Sequence, residues 1–261
     1  MYTLGACIDP ERGWGRSAET YGVLEELREY HFPPLWFTLG DRDIATHLVR
    51  TQLLASGYGL DQVTEALCQR WQPGVTLLPM TNDRVETHVV VDSGNQRAAI
   101  HFQQWWVQHR AQLPAHEFRF IGIDAAAPAP GVLEAVSEAD VVVLPPSNPI
   151  VSIGPILAVP GLRDAVVDGP APVVGVSGIV GGRPVKGMAD TCLAVVGVES
   201  TAGAVADHYG ARGEGGLLDG WVYETGDPAP ETVQASLATS TMMTNVAAAA
   251  DLARAAIGLV T

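Results

Sequence analysis

Apolar positions at the front of the chain recur at helical spacing rather than in strict alternation. SAETYGVLEELREYH (residues 17–31) predicts a helix capped by Ser17. DRDIATHLVRTQLLASG (41–57) predicts a second, with acids in its first turn and Gly57 as its stop. LDQVTEALCQRWQPG (60–74) predicts a third, capped by Asp61 and closed by Pro73 and Gly74. The texture then shifts: VTLLPM (75–80), ETHVVV (86–91) and RAAIHF (97–102) are short and rich in β-branched residues, the signature of strands. HFQQWWVQHRAQL (101–113) reads as one more helix.

From residue 117 onward strand and helix patterns alternate. FRFIGID (118–124), DVVVLP (140–145), APVVGVSG (171–178) and GLLDGWVYE (216–224) read as strands. Between them PGVLEAVSEA, IGPILAVPGLRDAV, KGMADTCLAVVG and TAGAVADHYGA read as helices, and the Ala-rich tail as a last one. Continuous apolar strands separated by helices are what a parallel sheet covered on both faces requires. The expected fold is α/β: a Rossmann-like, mostly parallel sheet with a helical portion near the N-terminus. Residues 1–261 show no repeat and no low-complexity linker, so a single domain is expected. A doubly wound sheet usually opens on a strand and a glycine-rich turn. Here the chain opens on MYTLGACIDPERGWG, with no β-rich run before it.

Composition narrows the classes. The formal net charge is −14 and charged residues are 17% of the chain, so a polyanion such as nucleic acid would be repelled. Lys186 is the only lysine. Three widely separated cysteines form no CxxC pair and suit a reducing cytoplasm. No apolar run approaches a membrane span, and the N-terminus is no signal peptide. GVSGI around Ser177 is one residue short of a nucleophile elbow, no Walker loop is present, and the histidines lack zinc spacing.

Four polar segments remain as candidates. Asp41, Arg42 and Asp43 sit where a loop becomes a helix, so they are either capping residues with a surface ion pair or a cluster aimed at ligand hydroxyls. In LLPMTNDRVETHV (77–89), turn chemistry accounts for Asn82 and Asp83, with a ligand-facing turn as the other reading. PPSNPIVSIGPILAVPG (145–161) follows a strand and precedes a helix. Its prolines stiffen the loop while the remaining N–H groups, with Ser147 and Asn148, can face an anion. In VSGIVGGRPVKGMAD (176–190), Gly181, Gly182 and Gly187 permit close backbone approach and Lys186 supplies charge. The last two segments follow consecutive strands, so both should reach one rim of the sheet, where a nucleotide or phosphorylated ligand would lie.

LGDRDIATHLVRTQLL, LLPMTNDRVETH, PPSNPIVSIGPILAVPG and VGGRPVKGMAD, in this order, resemble the 2-phospho-L-lactate transferase family. RGWG, WWVQHRAQ and MADTCLAVVGV look most like its phosphoenolpyruvate-using branch. The resemblance implies a step in making coenzyme F-420. The terminal ribityl hydroxyl of the deazariboflavin Fo attacks the acid-bearing phosphorus of a guanosine diphosphate ester, and GMP leaves. It implies Mg²⁺, a cytoplasmic homodimer, and small-molecule partners only. Ser147, Asn148, Pro149 and the 181–186 loop would then hold the nucleotide, with Gly181, Gly182 and Lys186 beside it. Asp41, Arg42, Asp43, Met80 and Asp83 would face the deazaflavin. The resemblance assigns neither a catalytic residue nor metal ligands to this chain. Family members also carry roughly 60 to 70 residues ahead of the position matching Met1, including the first βα turn and metal-binding aspartates. The expectation is therefore a longer working enzyme. The alternative is a truncated, non-catalytic nucleotide- or Fo-binding protein, with apolar sheet edges left exposed.

Overall fold

The computed structural model describes residues 1–34 and 36–261. Three helices lead: α1 (Gly22–Glu29), α2 (Asp41–Ala55) and α3 (Leu60–Trp71). The expected caps are replaced by partners distant in sequence. Ser17 does not cap α1; the Asp41 carboxylate accepts from the backbone N–H groups of Gly22 (3.1 Å) and Val23 (2.9 Å). Glu19 in return accepts from Arg42 N–H (2.9 Å) and Asp43 N–H (3.0 Å) at the start of α2. Nor is Asp61 the α3 cap. Its own N–H donates to the Asn82 amide oxygen at 2.8 Å, and α3 ends on Gln72 in the left-handed region before Pro73.

Residues 75–80 form no strand. Pro79 lies within them and removes a ladder donor, and the next residue, Thr81, pairs in an isolated bridge with Pro128. β1 (Glu86–Ser93), β2 (Gln96–His101) and β3 (Ala115–Ile121) make an antiparallel sheet of order β2-β1-β3. FRFIGID thus belongs to this sheet, not to the parallel one. The expected helix at 101–113 is reduced to a single wide turn, Gln104–Gln108. Trp105 is drawn into the core there, and its indole donates to Leu113 O at 2.8 Å.

The parallel sheet has order β4-β5-β8-β9: β4 (Val142–Leu144), β5 (Val173–Val176), β8 (Gly220–Glu224) and β9 (Ser236–Thr239). A short hairpin, β6 (Ile179–Val180) and β7 (Arg183–Pro184), follows β5. The fold is α/β, as the alternating pattern required, with the parallel pairing confined to these four strands. Successive residues face opposite ways and are buried on both sides. Val173, Trp221 and Tyr223 pack with the larger core, and Val174, Val176 and Val222 pack with the smaller one. The larger core includes α6 (Leu162–Asp168), α7 (Ala189–Val195) and α8 (Ala202–Tyr209); the smaller is closed by α9 (Val246–Val260). The short α4 (Val132–Ser137) precedes β4. The helix expected over 153–166 is broken: α5 (Gly154–Leu157), with the turn before it, and α6 meet at 87°. Pro160 cannot continue a helix, and Gly161 turns the chain at φ +84°. β4 is an edge strand, and its Val143 is 41% exposed. Among the described residues no single helix is long and apolar enough to cross a membrane.

One arginine joins the parts. The Arg212 guanidinium, largely buried, donates to the carbonyls of Val166 (2.9 Å), Val167 (2.7 Å), Gly169 (2.6 Å) and Ala171 (2.7 Å). It also pairs with Asp219 at 3.0 Å, whose carboxylate accepts from Val173 N–H at 2.8 Å. Arg212→Ala leaves these acceptors unpaired and should lower stability by about 3 kcal/mol or more in urea denaturation. Arg212→Lys, with a point charge in place of the planar fork, should recover less than half of that loss. Cys192 is fully buried, and burial pushes its thiol up to about 11. Native alkylation followed by mass spectrometry should label Cys7 and Cys68 while sparing Cys192 until the chain unfolds.

Candidate functional site

Three loops leave the C-terminal ends of the parallel strands on one side of the sheet. After β4, Pro145 and Pro146 restrict the chain, and Ser147 N–H turns back to Pro145 O at 2.6 Å. Asn148 then caps the turn Pro149–Ile153, its side-chain oxygen accepting from Ile150 N–H (2.9 Å) and Val151 N–H (3.2 Å). Pro149 is buried beneath it, while Ser147 stays exposed at the tip. Cys192, fully buried, lies close to the Asn148 side chain. The residue types noticed in the sequence therefore serve to build a stiff loop with one free hydroxyl at its apex.

After β5 the chain passes through Ser177 and Gly178 into the β6–β7 hairpin. A Cβ on Gly178 would lie 2.9 Å from Pro146 O, so the two loops abut and only glycine fits between them. Gly181 and Gly182, at φ +58° and +76°, form the two-residue hairpin turn. Gly181 N–H is already held by the Asp227 carboxylate at 2.9 and 3.1 Å. These glycines thus act as a turn tied to a carboxylate, whereas Lys186 reaches the rim. Its Nζ lies 3.5 Å from Gly13 O, where the N-terminal loop folds over it.

Two cavities open here. One, about 30 Å³, lies under Ser147 and Asn148 and is lined by Lys186, Tyr209 and Trp221. The Trp221 indole N–H has no partner among the described residues. The other, about 310 Å³, lies between Pro146, Ser177, Gly178, Val185 and Lys186 on one side and residues 241–244 on the other. Lys186 is the one charged side chain lining either cavity. Burial raises the Tyr209 phenol well above its ordinary value and the Cys192 thiol to about 11, so neither adds negative charge.

Residues 241–244 carry no signal that pattern reading recovers. They follow β9, whose sequence SLAT is too short and too weakly apolar to announce a strand. Thr241 is buried, and its N–H (2.7 Å) and hydroxyl (2.8 Å) both donate to Glu224 at the end of β8. That pair holds the segment against the sheet. The only available cue was composition, since two of the five methionines stand here in tandem.

The remaining candidates lie elsewhere. Asp41 is the α1 cap described above, and its carboxyl is held below the usual range by Thr20 and by the Val23 and Gly22 N–H groups. Arg42 donates to Ser17 O at 3.2 Å rather than to a carboxylate, so the ion pair is not formed. Asp43 is buried near Tyr2, whose phenol burial pushes up to about 12. A Cβ on Gly15 would stand 3.8 Å from the Asp43 carboxylate, so the loop that covers Lys186 also borders Asp43. Met80 lines a separate apolar cavity of about 330 Å³ beside α4, and Asp83 accepts from Ala127 N–H at 2.9 Å. Neither lines the rim cavities. A larger hollow of about 710 Å³ lies between α3 and residues 73–78, away from the strand ends. No three His, Cys, Asp or Glu side chains among the described residues converge to hold a metal ion. Beside the rim, Asp227 accepts from Gly181 N–H and Glu224 from Thr241 N–H.

The profile of 2-phospho-L-lactate transferase CofD matches residues 1–258. Phosphoenolpyruvate transferase of Mycolicibacterium smegmatis is 54% identical over 99% of this chain and 80% of its own length. The protein of the same name from Streptomyces coelicolor is 57% identical over 99% of this chain and 82% of its own. That from Thermobifida fusca is 62% identical over 87% and 69%. Protein BH3568 of Bacillus halodurans, a solved structure 20% identical, superposes with a TM-score of 0.50 over 89% of this chain. This chain spans 65% of that one, and the likeness extends to the fold alone. On the match over residues 1–258 and these identities, the chain belongs to the 2-phospho-L-lactate transferase CofD family.

Proposed function

We propose that this protein transfers an enolpyruvyl-phosphate group from a guanosine diphosphate ester to the deazariboflavin Fo, a step in forming coenzyme F-420. The lactyl ester is the less favoured donor, because the relatives at 54–62% identity are named phosphoenolpyruvate transferases. The terminal ribityl oxygen of Fo forms a bond to the acid-bearing phosphorus. The bond from that phosphorus to the bridging oxygen breaks, GMP leaves with the electron pair, and the hydroxyl proton passes to solvent or to the departing phosphate. The observation that carries this reading is the rim itself. In a chain of net charge −14, the one charged side chain lining both cavities at the strand ends is a lysine. Such a site favours a phosphate group locally while the rest of the surface repels polyanions.

The chain's own residues supply positioning. Ser147 offers a hydroxyl at the loop tip, the Asn148 cap fixes that loop, and Lys186 neutralises phosphate charge. Mg²⁺ belongs to the same reading as a charge-neutralising ion, although no three His, Cys, Asp or Glu side chains among the described residues converge to hold it. A homodimer in the cytoplasm completes the proposal.

The test combines the purified protein with enolpyruvyl-diphosphoguanosine, Fo and Mg²⁺, and follows GMP together with the phosphorylated deazaflavin by chromatography. Fo-dependent GMP release is expected, falling to background when the metal is chelated. GMP release that ignores Fo, or none with either ester, would sink the reading; ligand binding without turnover would point to a binding protein. Lys186→Ala should raise KM for the diphosphate ester about tenfold or more, with KM for Fo changed far less. Asn148→Ala removes a cap that receives two N–H groups, so it should cost about 1–2 kcal/mol of stability and lower kcat by loosening the loop.

A further inference from the structure

We infer that residues 8–16 form a strap that holds the Lys186 ammonium in place, with Arg16 as the residue that anchors it. This rests on the transfer reading above and names what positions its one rim cation. Lys186 and Gly13 stand 173 residues apart, yet Lys186 Nζ lies 3.5 Å from Gly13 O, the long end of a hydrogen bond. A Cβ on Gly13 would lie 2.7 Å from the same Nζ, and Gly13 has φ +67°. The strap therefore approaches the ammonium as closely as it does only because its tip has no side chain.

The strap is closed and stiff. An isolated bridge joins Ile8 to Arg16, and beside it Ser17 N–H donates to Cys7 O at 2.9 Å. Inside the loop the Asp9 carboxylate accepts from Glu11 N–H and Arg12 N–H at 3.0 Å each and pairs with the Arg12 guanidinium at 2.9 Å. Gly13 N–H donates to Asp9 O at 2.9 Å. The strap's position is set at its base by Arg16. That guanidinium lies over the ring of Trp71, the last residue of α3, at 4.4 Å from the centroid, and 5.8 Å from that of Tyr2. It also donates to Arg42 O, in the first turn of α2, at 3.0 Å. Trp71 is buried, so water competes little for this cation–π contact. One side chain thus fastens the strap to two helices, and the strap's far turn meets Lys186. A free lysine side chain samples many rotamers. Holding Nζ against a carbonyl removes that freedom before a ligand arrives, and leaves two of the three ammonium N–H groups for phosphate oxygens.

The test uses the fact that Lys186 is the only lysine. Protein grown on ¹³C-lysine carries a single labelled side chain, and relaxation of its ε-carbon reports how freely that side chain moves. Wild type, Arg16→Ala and Gly13→Ala are compared, with pyrophosphate affinity by calorimetry and a urea midpoint for each. The wild-type ε-carbon should be restricted. Arg16→Ala unfastens the strap, and Gly13→Ala places a methyl group against Nζ without touching the anchor. Each should free the ε-carbon and weaken pyrophosphate by about fivefold or more. Should Arg16→Ala fail to fold, Gly13→Ala decides alone. The inference is overturned if the wild-type ε-carbon moves as freely as in the urea-unfolded chain, or if the folded variants keep wild-type motion or wild-type affinity. If wild type binds no pyrophosphate, the phosphate reading of the rim falls, while the ε-carbon still decides whether the strap holds Lys186.

Discussion

The Arg212 clamp is the interaction on which the arrangement of the sheet depends. Five donors on one planar group tie together the end of α6, the approach to β5 and, through Asp219, the approach to β8. These are the carbonyls and the carboxylate that parallel strands leave near their N-terminal ends, where no hairpin exists to satisfy them. With that end fixed, Val174 pairs with Gly220 and Val176 with Val222. The opposite ends of the same strands, Ser177 after β5 and Glu224 closing β8, then arrive at fixed heights. Glu224 holds Thr241, and Gly178 packs under Pro146, so the rim inherits its shape from the clamp at the far side of the sheet.

Charge is distributed to match. A net charge of −14 keeps polyanions away, while a single lysine at the strand ends provides the local exception. The carboxylates of the N-terminal region have other work. Asp41 and Glu19 cap each other's helices, and Asp9 binds Arg12 and the N–H groups of Glu11 and Arg12. They fix the loop that folds over Lys186. That loop links the Asp41–Asp43 cluster to the rim, which is why those residues can influence the site without lining it.

Much of the fold was legible because its signals are local. α2, α3, β1, β5 and β8 announce themselves by apolar spacing and by their terminators. Misreadings occurred where a distant partner overruled the local pattern. VTLLPM has strand composition but carries Pro79 within it and has no strand to pair with. FRFIGID has strand composition too, yet found its partner in β1 rather than in the parallel sheet. At the site, Ser147, Asn148 and Lys186 were visible as unusual residues in stiff or glycine-rich loops. Gly181 and Gly182 were visible for the right conformational reason, but their N–H partner, Asp227, is 46 residues away from Gly181.

By itself the sequence determined the α/β class, the order of most elements and the two loops that form the rim. Each of these depends on spacing within about a dozen residues, or on backbone limits that proline and glycine impose wherever they stand. Only the tertiary structure decided which polar residues meet. Asp41 became a cap because α1 begins beside the start of α2, and the tandem methionines became a cavity wall because the chain after β9 returns to the C-terminal ends of β5 and β8. Convergence of this kind is set by strand order and register, and no single segment carries that information.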